Sequence, residues 1–250
     1  MLRATKVRLY PTEEQAEFLN AQFGAVRLAY NKALHIKSHY YRVYGVSLSP
    51  KKDLKPLLAV AKKSRKYHWM KQFDSIALQQ AVINLHTAFD NFFNPKLKAK
   101  YPQFKSKHGK QASYHCVGVS VLDEAIKLPK MQPIKAVIHR EITGTIKSIT
   151  VSRSACGQYY ASILADDGLA LPEPIKTIDS VVGIDLGLTH FAIRSDGIKI
   201  ANPRFVARAQ ANLRRKQRQL SRKQKGSRNR AKARLLVAKC HEKTANARAD

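Results

Sequence analysis

The chain has 250 residues, 44% of them hydrophobic, which is enough for one large domain or two to three small ones and excludes a disordered basic tail. Its 46 lysines and arginines face 17 acids, a formal net charge of +29, with 28 basic and 12 acidic side chains in residues 1–178 and 18 and 5 in residues 179–250. Self-repulsion spread this evenly through a globular chain points to a polyanionic partner, above all nucleic acid. No apolar run approaches the ~18–20 residues of a membrane span, and MLRATKVRLY has no apolar signal region, so a cytoplasmic chain is expected.

In chain order, residues 2–10 alternate (Val7 and Leu9 against Lys6 and Arg8) and predict a short strand ended by Pro11. Thr12 and Gln15 form a capping box, and Glu13 and Glu14 suit a positive helix N-terminus. The helix is expected to reach about Phe23, with Gly24 bending or breaking it. A second helix, carrying Val26, Tyr30, Ala33, Lys37 and Tyr41, is expected to end near Gly45. Such a pair is either a helix-turn-helix or ordinary helical packing. His35 and His39 are four apart on it and read as surface or core residues, because this helix supplies no companion ligand. Beyond the basic connection SPKKDLKP, a helix starts at Ser75 with Leu78, Val82, Leu85, Phe89 and Phe92 as its core stripe, and Pro95 stops it. After KLKAKYPQFKSKHGK the period changes to 2, predicting strands at 113–119, 125–128, 134–139, 145–153 and 158–165, a small antiparallel barrel or sandwich. DDGLALPEPIKTIDS reads as a linker. A further strand at 181–186 is followed by a hairpin turning at Ser195-Asp196-Gly197. Val206, Leu213 and Leu220 then recur every seven residues on a helix broken at Lys225-Gly226, with Ser227 an N-cap for the next.

Three features carry chemistry. In VVGIDLGLTH, Asp185 sits within an apolar strand, where a buried carboxylate is costly unless paired. The phrase fits the first strand of an RNase H-like nuclease, whose carboxylates hold divalent ions. It equally fits the phosphate-facing strand of an actin-like ATPase, or a structural acid capping a turn. Second, residues 208–234 carry 12 basic side chains and no acid. Arg214, Arg215, Arg218, Arg222, Lys223, Arg228 and Arg230 of this hairpin are expected to contact phosphates; a solvated helix pair is the plainer alternative. Third, Tyr101 and Phe104 lie among Lys98, Lys100, Lys105 and Lys107, an arrangement that grips single strands unless the rings merely anchor a loop. The three cysteines, Cys116, Cys156 and Cys240, form no Cys-x-x-Cys pair.

A series of phrases along the chain resembles the TnpB (OrfB) proteins of insertion-sequence transposons. They are KVRLYPTEEQ, RLAYNKAL, LHTAFDNFF, YPQFKSK, LPK with IHR (which adds Arg140 to the nucleic-acid-binding candidates), VSRSACGQYYASI, GIDLGLTHFA, NLRRKQRQLSRKQKGSRNRAKAR and TANARAD. The resemblance implies a transposon-associated, RNA-guided DNA endonuclease of the kind also termed a transposase, with guide RNA and DNA as partners and Mg²⁺ as cofactor. It makes Asp185 the first metal ligand of a RuvC-like site. That site needs a later Glu and a final Asp, with a Cys-x-x-Cys zinc pair between them. The 250 residues contain none of these, and Glu242 does not match. MQPIK at 131–135 stands where a glycine turn is expected after LPK.

The expected fold is therefore α+β. Strand 1–10 belongs to a split antiparallel β-barrel, residues 11–95 form a helical recognition insert with a helix-turn-helix-like start, and 96–170 complete the barrel. A linker at 171–179 leads to 180–250, the first β-hairpin of an incomplete RNase H-like (RuvC-like) domain with a basic helical hairpin at 204–243. The expected chain is the N-terminal, catalytically incomplete portion of a TnpB-like protein. The rivals are a non-catalytic DNA- or RNA-binding regulator and, more distantly, an actin-like ATPase.

Overall fold

A computed structural model describes residues 1–107, 112–170 and 180–249. Two compact units result, Met1–Ala170 and Leu171–Asp250. The expected linker at 171–179 lies outside the described residues.

The first unit is built on a seven-stranded antiparallel sheet of mixed α+β context. Its strands are β1 (Leu2–Tyr10), β2 (Ala112–Cys116), β3 (Ser120–Val121), β4 (Ala125–Lys127), β5 (Ile134–Val137), β6 (Thr145–Arg153) and β7 (Tyr159–Asp166), in the order β2-β6-β7-β1-β5-β4-β3. The N-terminal strand is thus the middle one, pairing Val7 with Ala161 on one side and Leu9 with Ala136 on the other. Alternation decides the faces: Val7, Leu9, Ile134, Ala136, Ile149, Val151, Ala161 and Ile163 point into the core. Lys6 and Arg8 take the other face, their cations over the Tyr160 ring at 4.5 and 5.4 Å.

The end strands β2 and β3 are separated by only Val117, Gly118 and Val119. A flat sheet would hold its outer strands ~29 Å apart, at ~4.8 Å per step. Four Cα–Cα steps of ~3.8 Å reach at most ~15 Å. The sheet must therefore curl, although no hydrogen-bonded ladder joins β2 to β3 among the described residues. The expected barrel is in this sense a rolled, open sheet. Its strands match the sequence reading closely, except that the strand expected at 113–119 ends at Cys116 as β2, and the two-residue β3 beyond it was not expected. The turn after Leu128 places Lys130 at a φ of 65°, the left-handed conformation that glycine adopts most easily, and its ammonium donates to the Lys71 carbonyl at 3.1 Å.

Between β1 and β2 stand the helices α1 (Glu13–Tyr44), the short α2 (Lys55–Ala61) and α3 (Ser75–Phe93). The Thr12–Gln15 capping box forms as its residues predict. Gly24 neither bends nor breaks α1, which runs unbroken for 32 residues. The reason is packing: Leu19, Phe23, Val26, Tyr30, Ala33 and Leu34 bury one stripe across the glycine, outweighing the ~1 kcal/mol that glycine costs in a helix. The expected pair of helices at 13–45 is therefore one helix. In α3, Leu78, Val82, Leu85 and Phe89 are buried and Phe92 half-buried, while the Asp74 carboxylate caps the Ile76 and Ala77 N–H groups. The buried Gln22 of α1 accepts from Asp74 N–H at 3.0 Å and joins the two helices.

The second unit holds a three-stranded sheet, β10-β9-β8, of β8 (Ile184–Asp185), β9 (His190–Arg194) and β10 (Lys199–Ala201), with Gly197 at a φ of 88° in the expected turn. The strand expected at 181–186 is reduced to two residues and is not buried: Val181 is 78% exposed and Leu188 beyond it 90%. β8 is an edge strand of this small sheet, and Ile184 on it is 64% exposed. Two helices follow, α4 (Phe205–Ser221) and α5 (Arg228–Ala249), broken at Gly226 as the sequence predicts, with the Ser227 hydroxyl accepting from Arg230 N–H at 3.1 Å. Leu213 and Leu220 are half-buried along α4; the side chain of Val206 lies outside the described residues.

Two predictions follow from these contacts. Gly144, between β5 and β6, has a φ of 89°, and a Cβ there would overlap the backbone of Asp166 and Asp167, whereas a Cβ on Gly24 meets only Arg27, at 3.8 Å. Thermal denaturation of Gly144→Ala should therefore show a loss of about 2–4 kcal/mol, and Gly24→Ala a gain of up to ~1 kcal/mol; equal effects would contradict both assignments. The Met1 amine donates to Asp167 at 2.7 Å, Asp166 at 3.2 Å and the Leu169 carbonyl at 2.6 Å. Hydrogen bonds from the amine and from Leu169 N–H hold the Asp167 carboxyl down at about 2, and the Asp167 bond raises the amine. The depressed acid stabilises above its unfolded value of ~3.9 and loses this as pH falls through about 2; the raised amine stabilises below ~8 and loses this as pH rises through its folded value. The Tm advantage of the native chain over Asp167→Asn should hold steady between about pH 4 and 8 and shrink on either side.

Candidate functional site

Asp185 stands in β8 opposite Ile193 of β9, and Lys199 of β10 continues the same cross-strand row. The strand is fixed by local contacts: Ser195 N–H donates to the Gly183 carbonyl at 2.9 Å, and Gly183 N–H to the Ser195 hydroxyl at 3.1 Å. The carboxylate itself is exposed, and among the described residues it caps no turn and makes no ion pair. No group of three or more His, Cys, Asp and Glu gathers among the described residues. A hard divalent cation needs several oxygen ligands, so this donor set does not fit one by itself.

Arg214, Arg215 and Arg218 on α4, and Arg222, Lys223 and Arg228 at the turn, are exposed. Only Arg215 is tied locally, to Asn212 Oδ1 at 3.1 Å. Arg230 differs: its guanidinium donates to the Leu220 carbonyl at 3.1 Å and the Lys223 carbonyl at 2.8 Å. It reinforces the C-terminal end of α4, where Lys223 N–H already donates to the Leu220 carbonyl at 3.2 Å, so this guanidinium ties the hairpin together. Between α4 and α5, Lys216, Lys239 and Lys243 line a cavity of about 630 Å³, cations the sequence reading did not single out.

The segment 98–107 divides in the same way. Lys98, Lys100 and Lys107 are exposed. Lys105 is not a free cation: its ammonium lies 4.2 Å over the Tyr30 ring, and burial there lowers its pKa. Its backbone N–H and carbonyl are both held by the Asn31 amide, at 2.8 and 3.0 Å. Tyr101 packs edge-on against Phe89 and Phe92 and shares a 2.9 Å hydrogen bond with the Ser38 hydroxyl, so it anchors the loop. Phe104 is 61% exposed and remains available for stacking. Arg140, beyond β5, is exposed. Sequence reasoning set aside His35 and His39; with Ser38 and Arg42 they line a cavity of about 370 Å³ facing Tyr101 and Phe104. The signal was their spacing with Arg42, four and seven residues on from His35, which stacks one helix face.

Family models divide the ends of the chain between them. Residues 163–250 match the OrfB family of IS605-type elements, described as "Probable transposase", and residues 1–45 match that family's "Helix-turn-helix domain". The chain belongs to the TnpB (OrfB) family. A "Putative RNA-guided DNA endonuclease" from Streptomyces pristinaespiralis is 37% identical over 99% of this chain and 61% of its own length. The TnpB-family chain thus spans about three fifths of that relative. The "Virulence protein VsdF" of Salmonella dublin is 70% identical over 116 residues, covering 44% of this chain and 98% of VsdF. Among solved structures, a CRISPR-Cas12f ternary complex superposes at a TM-score of 0.42 and 11% identity, over 94% of this chain and 58% of that one. Residues 13–44, within the family's helix-turn-helix match, form a single helix here.

The contrast between Arg230 and its neighbours is measurable. Arg230→Gln should cost about 1.5–3 kcal/mol, the range for hydrogen bonds to charged groups, read as faster amide exchange in residues 220–232. Arg218→Gln should leave that exchange unchanged. Equal exchange in both variants would return Arg230 to the phosphate-binding set.

Proposed function

We propose that this chain is the nucleic-acid-holding portion of an RNA-guided DNA endonuclease linked to transposition. One observation carries the reading: Arg214, Arg218, Arg222, Lys223 and Arg228 project from α4 and the turn after it with no acidic partner among the described residues. Such a row neutralises a phosphate backbone, releases counterions and reads no sequence. It therefore suits a protein whose specificity is delegated to base pairing with a guide RNA. The relatives along the whole chain support the same assignment.

Asp185 is proposed as the first carboxylate of a divalent-metal site, with Mg²⁺ as the ion. Asp185 would hold such an ion only together with further oxygen ligands, and a bound ion would supply Lewis-acid chemistry at a phosphate. This chain's own contribution is a carboxylate held at a fixed place on β8, exposed and unspent on structure. A purely regulatory DNA- or RNA-binding role would leave that acid without employment, which is why the nuclease reading is preferred.

Binding of RNA and DNA to the purified chain should weaken steeply with salt, and replacing Arg214 or Arg218 by Gln should lower the salt slope by about one each. Affinity that stays flat from low to high salt would dispose of the phosphate-contact reading. With Mg²⁺ present the 250-residue chain should leave DNA uncut, since the described residues gather no further ligands around Asp185. Cutting that disappears in Asp185→Asn would show a complete site instead.

A further inference from the structure

The cavity of about 370 Å³ beside α1 has two unlike walls. One is a helix face: His35, Ser38, His39 and Arg42 fall at positions i, i+3, i+4 and i+7, and the two imidazoles lie nearly parallel with centroids 6.0 Å apart. The other is the loop bearing Tyr101 and Phe104. The Ser38–Tyr101 hydrogen bond and the two hydrogen bonds between the Asn31 amide and the Lys105 backbone pin that loop to the helix, so the cavity is bounded by fixed contacts.

Within the described residues, the side chains of this wall are not engaged by acids. The acids of α1 are Glu13, Glu14 and Glu17. At 1.5 Å per residue they lie ~27 Å or more from His35. Among the described residues, no ion pair engages His35, His39 or Arg42. Phe104 leaves its ring largely in solvent, where it can be stacked upon. The volume falls within the ~300–1,000 Å³ range of sites that enclose small ligands. An aromatic face, two imidazoles and a guanidinium around one cleft suit a flat π-system joined to an anion.

We propose that this cleft holds one unpaired nucleotide of a bound single strand, with its base against Phe104 and its phosphate at Arg42 and His39. Base pairs within a duplex stay stacked and cannot enter, whereas an unstacked base presents its face and edges. His35 and Ser38 offer hydrogen-bonding groups to the base edge or to the sugar. The assignment rests on the chain being a nucleic-acid-holding protein and adds to the backbone contacts of α4 a separate site that selects strandedness.

The test uses the 250-residue chain and fluorescence anisotropy with labelled single-stranded RNA, single-stranded DNA and duplex DNA. Phe104→Leu should weaken single-strand binding roughly tenfold, the size expected for one lost stack, while duplex affinity and the salt slope stay unchanged. Phe104→Tyr, which keeps the ring, should restore it. Arg42→Gln should lower the single-strand salt slope by about one. Photo-crosslinking of 5-iodouracil-containing strands should map to the peptide carrying Phe104. The RNA and DNA arms show which strand the cleft serves, by which one depends on the ring. Single-strand binding within twofold of native in Phe104→Leu, an equal loss on duplex, or crosslinks that avoid residues 101–104 would each overturn the proposal. Failure of the underlying reading looks different: the native chain would bind no strand, or bind all of them without dependence on salt.

Discussion

Too few carboxylates for too many cations is the constraint under which this structure is assembled. Five of the acids are spent on the chain's own geometry. Asp74 caps α3, Asp53 accepts from the Ser49 N–H at 2.6 Å, Asp166 and Asp167 hold the Met1 amine, and Asp196 pairs with Arg194 at 2.6 Å in the hairpin turn. Cations that must sit against the fold therefore turn to carbonyls and rings. Lys37, buried on α1, donates to the Leu48 carbonyl at 2.6 Å and to Ser47, with its ammonium 4.8 Å over Phe89. Burial lowers its pKa, as it does for Lys105 over Tyr30. Arg8 lies between the rings of Tyr10 and Tyr160, and Arg230 caps a helix. Quadrupoles and carbonyl dipoles attract a cation more weakly than a carboxylate does, but they need no acid. Among the described residues, the charge left on α4 and on Lys98, Lys100 and Lys107 stays uncompensated as a consequence.

The phrases that mark the chain as a TnpB relative are physically joined. Tyr30 and Asn31 of RLAYNKAL hold Lys105 of YPQFKSK by its ammonium and by both backbone groups. Gln15 of the first phrase donates to the Pro133 carbonyl ahead of β5, and Asn20 accepts from Arg153 and Tyr159 of VSRSACGQYYASI. Helix α1 touches each of these segments, so its unbroken length is what gathers strands separated by more than a hundred residues. A break at Gly24 would have divided the Gln15 and Asn20 contacts from those of Asn31.

What could be read in the sequence was whatever depends on neighbours a few residues away. The bounds of strands β1 and β6 were legible to the residue, although β1 alternates only weakly and β6 carries a register shift between Ile146 and Ser148; the Thr12 box, the Asp-Gly turn and the Ser227 cap follow from local hydrogen bonding. The misreadings concern what a residue meets at long range. Gly24 carries a local penalty that a buried stripe outweighs. Lys105 and Arg230 belong to runs of identical composition, and only the fold shows that one lies over a ring and the other caps a helix while Lys107 and Arg218 face water. His35 and His39 were visible as a pair, but their facing loop was not. Among the expected site residues, Asp185 was placed correctly on a strand and wrongly in a buried one.

That last difference sharpens what the acid is for. A carboxylate buried in an apolar strand would have needed a partner merely to fold, and its presence would have said little about chemistry. On an exposed edge strand it costs little and supports nothing. β8 is held by the Gly183–Ser195 contacts and by pairing with β9, and neither uses the side chain. Asparagine or serine would serve the strand as well, and would relieve no repulsion in a chain this basic. An acid there is free of structural duty among the described residues, which is what lets the proposed metal role at Asp185 be tested by Asp185→Asn without disturbing the strand.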